Sequence, residues 1–214
     1  TSYIGIIAVG MTFIMIGGGI DLSVGSFAAL MGALAIQTVN ALGDTTSSVI
    51  LSILITIAVG ALLGAGSGLL VTKGRIPPFV VTLGAMAIYR SLVLNFANGG
   101  VYMSRSSKYS SIGMMRVLGL PVPMIVFLIY VVVASIILER TKFGRYVYAI
   151  GANETAALYS AINVDRIRTA TYVIGGISVS ISAVLLSSMM SSVSSSSTGN
   201  GFELDAIAAA VIGG

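Results

Sequence analysis

The chain has 214 residues, of which 56% are hydrophobic and 8% charged, with a formal net charge of +4 and a mean hydropathy of +1.03. Soluble domains carry roughly 25% charged residues, so the composition predicts an integral membrane protein in a lipid bilayer. The sequence has no Cys and no His, which excludes disulfides, thiolate or imidazole metal sites and His-dependent catalysis.

Because no acidic cluster has metal-ligand spacing either, we expect neither an enzyme nor a bound metal or cofactor. The basic residues are expected to mark the loops that face the cytoplasm, rather than a nucleic-acid surface.

The first apolar run, Tyr3–Ile16, ends at three consecutive glycines, Gly17–Gly19. Each glycine destabilises a helix by about 1 kcal/mol relative to Ala, so we expect a helix break there. Asp21 follows between two apolar runs, and an acid at membrane depth is by default a candidate functional residue. The structural alternative is that Asp21 caps a helix starting at Leu22, with Ser23 helping to satisfy free backbone groups. The two interpretations are compatible, since helix starts inside membranes often line substrate pathways.

The next span, Val49–Thr72, is free of charge and long enough to cross a bilayer. It carries glycines at every fourth position, which predicts a stripe for close helix packing: Gly60, Gly64 and Gly68.

A basic turn with two prolines, Lys73–Pro78, precedes a span that runs from about Phe79 to Asn98 and carries Arg90. The long aliphatic side chain of Arg90 either lets its guanidinium reach the membrane–water interface, or the guanidinium needs a water-filled cavity or an acidic partner inside the membrane. Asp21 is one such partner.

Two further spans are predicted, at Pro121–Leu138 and at Thr169 to about Met190. A polar loop, residues 99–119, precedes the first of them. The stretch Ser187–Ser197 contains eight serines, and we expect it to be mobile or irregular. An acid-capped helix start at Glu203–Asp205 then repeats the physical pattern of the Asp21 region. The fold class is therefore an all-α polytopic bundle with interrupted helices, and both ends fall inside apolar patterns, which suggests a partial chain.

The longest polar segment, residues 139–168, lies between two spans and is bracketed by five basic side chains: Arg140, Lys142, Arg145, Arg166 and Arg168. Asn153 can cap a short helix that continues to Ala161, with Glu154 in its first turn, where negative charge suits the helix dipole. Small residues would give that helix a surface that another protein can approach closely: Ala156, Ala157 and Ser160. The alternative is an ordinary solvated loop whose charges only fix the topology.

The spans between the basic segments set the topology. The turn Lys73–Arg75 and the 140–168 loop are two crossings apart and together carry seven basic residues, so the positive-inside rule makes their side cytoplasmic. The 99–119 loop and the serine-rich stretch then face outward. The Gly17–Asp21 break lies either toward the cytoplasm or inside the bilayer, and the sequence leaves both open.

Four segments, taken in order, resemble permease subunits of bacterial ribose-type sugar ABC importers. They are GGGIDLSVGS (17–26), KGRIPPFVVTLGAMAIYR (73–90), TKFGRYVYAIGANETAALYSAINVDRIR (141–168) and GFELDAIAAAVIGG (201–214). The resemblance implies one transmembrane permease domain over residues 1–214, in the bacterial inner membrane, similar to the larger, vitamin B12 permease-like importer type. Family members have additional helices at both ends.

The resemblance also implies partners: a second permease copy, a cytoplasmic ABC ATPase and an extracytoplasmic sugar-binding protein. The 141–168 segment looks like the family's coupling loop, and the coupling role carries over to Gly151, Asn153, Glu154, Ala156, Ala157 and Ser160. The loop departs from the family at Ala161, where the family often has glycine.

The chain contains no G-x-x-x-x-G-K-[ST] phosphate-binding motif, so ATP hydrolysis is expected on a separate subunit. In this interpretation residues 152–161 act as the lever of an alternating-access cycle. Polar groups that could line the sugar path are Asp21, Ser23, Ser26 and Arg90. The alternative is a secondary transporter in which the breaks at Gly17–Asp21 and Glu203–Asp205 form two halves of an ion or substrate site.

Overall fold

A computed structural model describes residues 1–117 and 119–213. Leu118, in the 99–119 loop, and Gly214, which closes the last of the four segments, lie outside the described residues. The helices are α1 Ser2–Ile16, α2 Val24–Leu42, α3 Thr46–Thr72, α4 Pro78–Phe96, α5 Ser107–Met114, α6 Val122–Arg140, α7 Lys142–Ala152, α8 Glu154–Tyr159, α9 Val164–Met190 and α10 Phe202–Gly213. The strands are β1 Val101–Met103, β2 Arg116–Val117, β3 Leu120–Pro121 and β4 Ser192–Ser194.

Within these residues, five helices are long and apolar enough to cross a membrane: α2, α3, α4, α6 and α9. In α9, 67% of the most apolar 18-residue stretch is buried inside the protein, whereas in α6 only 11% of the corresponding stretch is buried. Because α6 leaves its apolar side chains uncovered by protein, it lies at the periphery of the bundle, whereas α9 packs against α1, α2 and α3 and lies at its centre. The all-α polytopic prediction is confirmed.

The loops gather at the two ends of the bundle as the topology predicted. Residues 75–78 and 154–168 line one cavity, so the two basic segments share an end, which we call the basic end. At the opposite end β1 pairs antiparallel with β4, with Val101 opposite Ser194. The 99–119 loop and the serine-rich stretch therefore lie together.

The serine-rich stretch is more ordered than predicted. Ser187 and Ser188 belong to the last turn of α9 and donate to the carbonyls of Ala183 (2.7 Å) and Leu185 (3.0 Å). The next residues form β4 against β1. The predicted irregularity is wrong for the residues in α9 and β4, because the serine hydroxyls satisfy nearby backbone carbonyls and β1 supplies a strand partner that composition cannot reveal. In the rest of the stretch, residues 195–197, the chain is irregular, as predicted.

The turn between α2 and α3 holds α5 in place at the same end. The Asp44 carboxylate accepts hydrogen bonds from the hydroxyls of Ser106 (2.5 Å) and Ser107 (2.7 Å) and from the Lys108 amide (3.1 Å). These donors favour the charged carboxylate and lower the pKa of Asp44 to about 2. A fixed α5 packs along α9 and closes that side of the bundle.

The predicted glycine stripe forms the contact between α3 and α9. A methyl group added at Gly64 would lie 3.1 Å from the Tyr172 carbonyl carbon, and one at Gly68 would lie 2.9 Å from Thr169 Cα. A methyl group added at Gly60 would likewise overlap atoms of Gly176 and Ser180. The absence of side chains lets the two backbones touch, which confirms the packing prediction.

Gly66 gives a matched control for this contact, because a methyl group added there meets nothing within 4 Å. We expect Gly64→Ala to lower the free energy of unfolding by about 1–3 kcal/mol through overpacking. Gly66→Ala should leave stability unchanged or raise it by up to about 1 kcal/mol through helix propensity. Thermal unfolding in detergent checks this, and equal shifts for the two variants would contradict the packing role of the stripe.

Candidate functional site

Two helix interruptions approach each other inside the bundle. We call residues 17–23 the first break and residues 195–201 the second break. The first follows α1, and the second follows β4.

The first break enters the bundle from the basic end. Its Ile20 carbonyl accepts a hydrogen bond from the Tyr172 hydroxyl at 3.1 Å, and Tyr172 lies roughly 12 Å along α9 from its first residue at about 1.5 Å per residue. Just after the break, Phe27 packs on Tyr89 of α4 with ring centroids 4.9 Å apart. The break therefore runs from the basic end, where Gly18 is exposed, into the interior of the bundle, where Asp21 is buried.

The start of α2 is organised by Asp21. Its carboxylate accepts hydrogen bonds from the backbone amide (2.8 Å) and the hydroxyl (2.6 Å) of Ser23, and the Ser26 hydroxyl donates to the Ser23 carbonyl at 3.0 Å. The helix begins at Val24 and not at the predicted Leu22, because the Asp21 side chain holds residues 21–23 in a turn. The prediction that Asp21 caps this helix is wrong, because Ser23 is the N-cap residue and Asp21 bonds to Ser23 instead of to an amide of the first helical turn.

Asp21, Ser23 and Ser26 are all at most 5% exposed. Their polar atoms bond to one another in this conformation. Their place in a substrate path stays a prediction.

The second break is held by Arg90. The guanidinium donates to the carbonyls of Ser195 (3.1 Å) and Thr198 (3.0 Å) and to the Asn200 side chain (2.9 Å). The predicted pairing with Asp21 is wrong, because these three acceptors occupy the guanidinium. Arg90 thus satisfies backbone carbonyls that an irregular segment leaves free inside an apolar bundle.

The start of α2, just after the first break, meets the second break at Gly25 and Gly199. A methyl group on either glycine would overlap the carbonyl of the other, and the Glu203 carboxylate lies 2.6 Å from the methyl position on Gly25. Beside them the rings of Phe202 and Tyr3 pack at 5.7 Å. The starts of α2 and α10 are therefore side by side. Glu203 and Asp205 lie in the first turn of α10, which begins at Phe202 and not after Asp205 as predicted.

The polar segment 139–168 folds into two short helices, α7 and α8, as expected. Asn153 caps α8, since its side chain accepts a hydrogen bond from the Ala156 amide at 2.9 Å. The helix ends at Tyr159, short of the predicted Ala161. Ala161 has a φ of +57°, a left-handed conformation that costs an L-residue roughly 1–2 kcal/mol, which accounts for the glycine that the family favours there.

The faces of α8 differ from the predicted small-residue surface. Ala157 is 3% exposed and packs with Ile150 and Val164. It therefore fixes α8 to the rest of the protein and is not part of the surface that a partner could contact. Leu158 and Tyr159 are 56% and 89% exposed. We call the exposed set the α8 surface: Ala156, Leu158, Tyr159 and Ser160. The small size of Ala156 and Ser160 was the sequence signal for this surface, whereas the exposure of Leu158 and Tyr159 required the structure.

Gly151, at the end of α7, touches the end of α1. A methyl group added there would overlap the Ile16 carbonyl. Gly151 thus permits α7 to lie directly against the residue before the first break.

Sequence reasoning missed the role of Arg168, although it noted the charge. Its guanidinium binds Glu154 through Nη2 and Oε2 at 2.8 Å and the Gly17 carbonyl through Nε at 3.2 Å. The hydrogen bond and charge of Arg168 lower the pKa of Glu154. Loop spacing does not predict such a contact, because the three residues belong to separate segments.

A cavity of about 890 Å³ opens at the basic end. Gly18 of the first break, the 75–78 turn, α8 and the start of α9 line it. The cavity therefore lies between the α8 surface and the first break, where a path from the bundle interior would leave the protein.

Arg90→Gln tests how the second break is held. A shorter, neutral side chain cannot reach all three acceptors, so amide hydrogen exchange in residues 195–201 should become faster than in the unmodified protein. Arg105→Gln is the control, because the Arg105 side chain is exposed, and it should leave exchange in this segment unchanged. Equal exchange in both variants would show that Arg90 does not hold the second break.

The chain is similar to known proteins over its whole length. Residues 1–214 match the family described as the branched-chain amino acid transport system permease component. The ribose import permease protein of Haemophilus influenzae is 39% identical over 100% of this chain and 66% of the relative. That of Bacillus subtilis is 40% identical over 98% and 64%. The xylose transport system permease protein of Escherichia coli is 32% identical over 100% and 69%. No solved structure matches. The chain thus spans about two thirds of these relatives.

Proposed function

The chain belongs to the permease-component family of the branched-chain amino acid transport systems, and we propose that it is the membrane-spanning subunit of an ATP-driven importer of a monosaccharide. It is a multi-pass protein of the bacterial inner membrane. The sugar assignment rests on relatives whose names state ribose or xylose transport. The basic end then faces the cytoplasm.

The energy source in this proposal is a separate ABC ATPase that docks on the α8 surface. The observation that carries it is the exposure of Leu158 and Tyr159, 56% and 89%, on a helix beyond the membrane spans. A large apolar side chain in water is a typical anchor of a protein interface. The helix beneath is fixed by Asn153, which caps it, and by buried Ala157.

Movement of α8 can reach the breaks through α7 and α1. Since α7 touches the Ile16 carbonyl at Gly151, a push on the α7–α8 unit acts directly on the chain entering the first break. The contact between Gly25 and Gly199 joins the start of α2 to the second break. In the proposed cycle, ATPase-driven movement separates the two breaks and exposes Asp21, Ser23, Ser26 and Arg90 to the sugar. Such a cycle needs two conformations whose balance the partner shifts.

The proposal extends to two further partners, both from the family resemblance. A sugar-binding protein would dock at the end formed by α5 and the β1–β4 pair, opposite the α8 surface. A second permease copy would complete the transmembrane pathway.

A secondary transporter is the second candidate, and one observation favours it. The start of α2, just after the first break, meets the second break at Gly25 and Gly199, as in transporters with paired interrupted helices. It gives no role to the exposed α8 surface. Family membership supports the importer over this alternative.

Leu158→Arg tests docking. Placing a charge at an apolar interface anchor should reduce recovery of the ABC ATPase with the full-length protein by about tenfold or more. Met114→Arg is the matched control, since Met114 is 68% exposed in α5 at the opposite end, and recovery should be unchanged. Co-purification from membranes that contain equal amounts of each variant is the measurement. Undiminished recovery with Leu158→Arg would refute docking on the α8 surface.

A further inference from the structure

One side chain joins three segments at the basic end. The Arg168 guanidinium donates to Glu154 through Nη2 (2.8 Å, Oε2) and Nη1 (3.4 Å, Oε1) and to the Gly17 carbonyl through Nε (3.2 Å). Glu154 is the first residue of α8, Arg168 lies in the first turns of α9, and Gly17 begins the first break. The guanidinium is therefore the direct contact between α8 and the first break.

The geometry of this link is stiff. A guanidinium is planar, and its nitrogens donate in fixed directions, so a two-pronged bond to a carboxylate fixes orientation as well as distance. The Arg168 side chain is 16% exposed, and the Gly17 carbonyl is one of those left free at the end of α1. Gly18, with a φ of +76°, turns the chain immediately after that carbonyl.

A second contact from the same face of α9 holds the other end of the first break. Tyr172 lies four residues after Arg168, on the same side of the helix, and its hydroxyl binds the Ile20 carbonyl at 3.1 Å. Arg168 and Tyr172 therefore bind the carbonyls of Gly17 and Ile20, respectively. Of these two, only Arg168 also binds α8.

We propose that Arg168 is the positioning residue that transmits movement of α8 to the first break; this inference rests on the proposed function. When the ATPase displaces α8, Glu154 carries the guanidinium with it, and the Gly17 carbonyl follows. Asp21 and the start of α2 then move with the break. Without this link, α8 itself no longer contacts the break, and only the contact of Gly151 in α7 with the Ile16 carbonyl remains.

Three variants separate transmission from simple ion pairing. Arg168→Lys keeps the charge, but its single ammonium cannot reproduce the fork that holds Glu154 and Gly17 together. The exchange Glu154→Arg with Arg168→Glu keeps an ion pair between α8 and α9, but a glutamate cannot donate to the Gly17 carbonyl. Arg166→Lys is the control, because Arg166 is exposed and lies two residues before Arg168.

The readout uses the absence of cysteine from the chain. Leu22→Cys places a thiol in the first break, at a partly exposed position, and it is the single thiol within residues 1–214. Any cysteine elsewhere in the full-length protein is first replaced by serine. In the full-length protein with its ABC ATPase, the rate of reaction with a water-soluble maleimide is measured with and without ATP, together with the amount of ATPase retained. The two quantities report movement of the break and docking separately.

We expect ATP to change the labelling rate on the order of tenfold, within the usual range of coupling between sites, in the Leu22→Cys protein and in its Arg166→Lys variant. Arg168→Lys and the charge exchange should retain the ATPase but lose most of this change.

The inference is overturned if both Arg168 variants respond to ATP like the control, or if ATP changes labelling in none of the proteins. It is also overturned if the Arg168 variants lose the ATPase, because Arg168 then serves docking alone. Failure of the unmodified protein to bind any ABC ATPase refutes the proposed function itself, and that result is distinct from the others.

Discussion

Backbone groups inside an apolar bundle must find hydrogen-bond partners within the protein, and this constraint governs the two breaks. A continuous helix satisfies its own peptide groups, but the first and second breaks cannot. Polar side chains supply the missing partners: Arg90 for the second break, and Asp21, Arg168 and Tyr172 for the first. These residues are the polar positions that make interrupted helices possible in this chain.

The same contacts connect the breaks to the rest of the molecule. Arg90 ties the second break to α4, whereas Arg168 and Tyr172 tie the first break to α9, the central helix. A movement that separates the breaks must therefore change these bonds. Since Arg168 also binds Glu154, and Gly151 touches the Ile16 carbonyl, the segment proposed to meet the ATPase reaches the first break through two contacts. The bonds that hold the break in place are also bonds that the proposed mechanism uses.

Local features were predictable from sequence. The spans follow from apolar length, the stripe from Gly60, Gly64 and Gly68 follows from four-residue spacing, and the Asn153 cap follows from side-chain chemistry at a helix start. Features that depend on distant segments were not predictable. Arg90 finds Ser195 across 105 positions, where Asp21 was the expected partner. Likewise, β4 forms only because β1 lies beside it, and a six-residue helix shows no periodicity long enough to reveal that Ala157 faces inward.

The energy source distinguishes the importer from a secondary transporter most directly. Full-length protein can be reconstituted in liposomes with or without its ABC ATPase and sugar-binding protein, and uptake of radiolabelled ribose and xylose measured with ATP or with an ion gradient. The importer account predicts uptake of at least one of these sugars only when both partners and ATP are present, and none from a proton or sodium gradient. Gradient-driven uptake by the chain without an ATPase would contradict it.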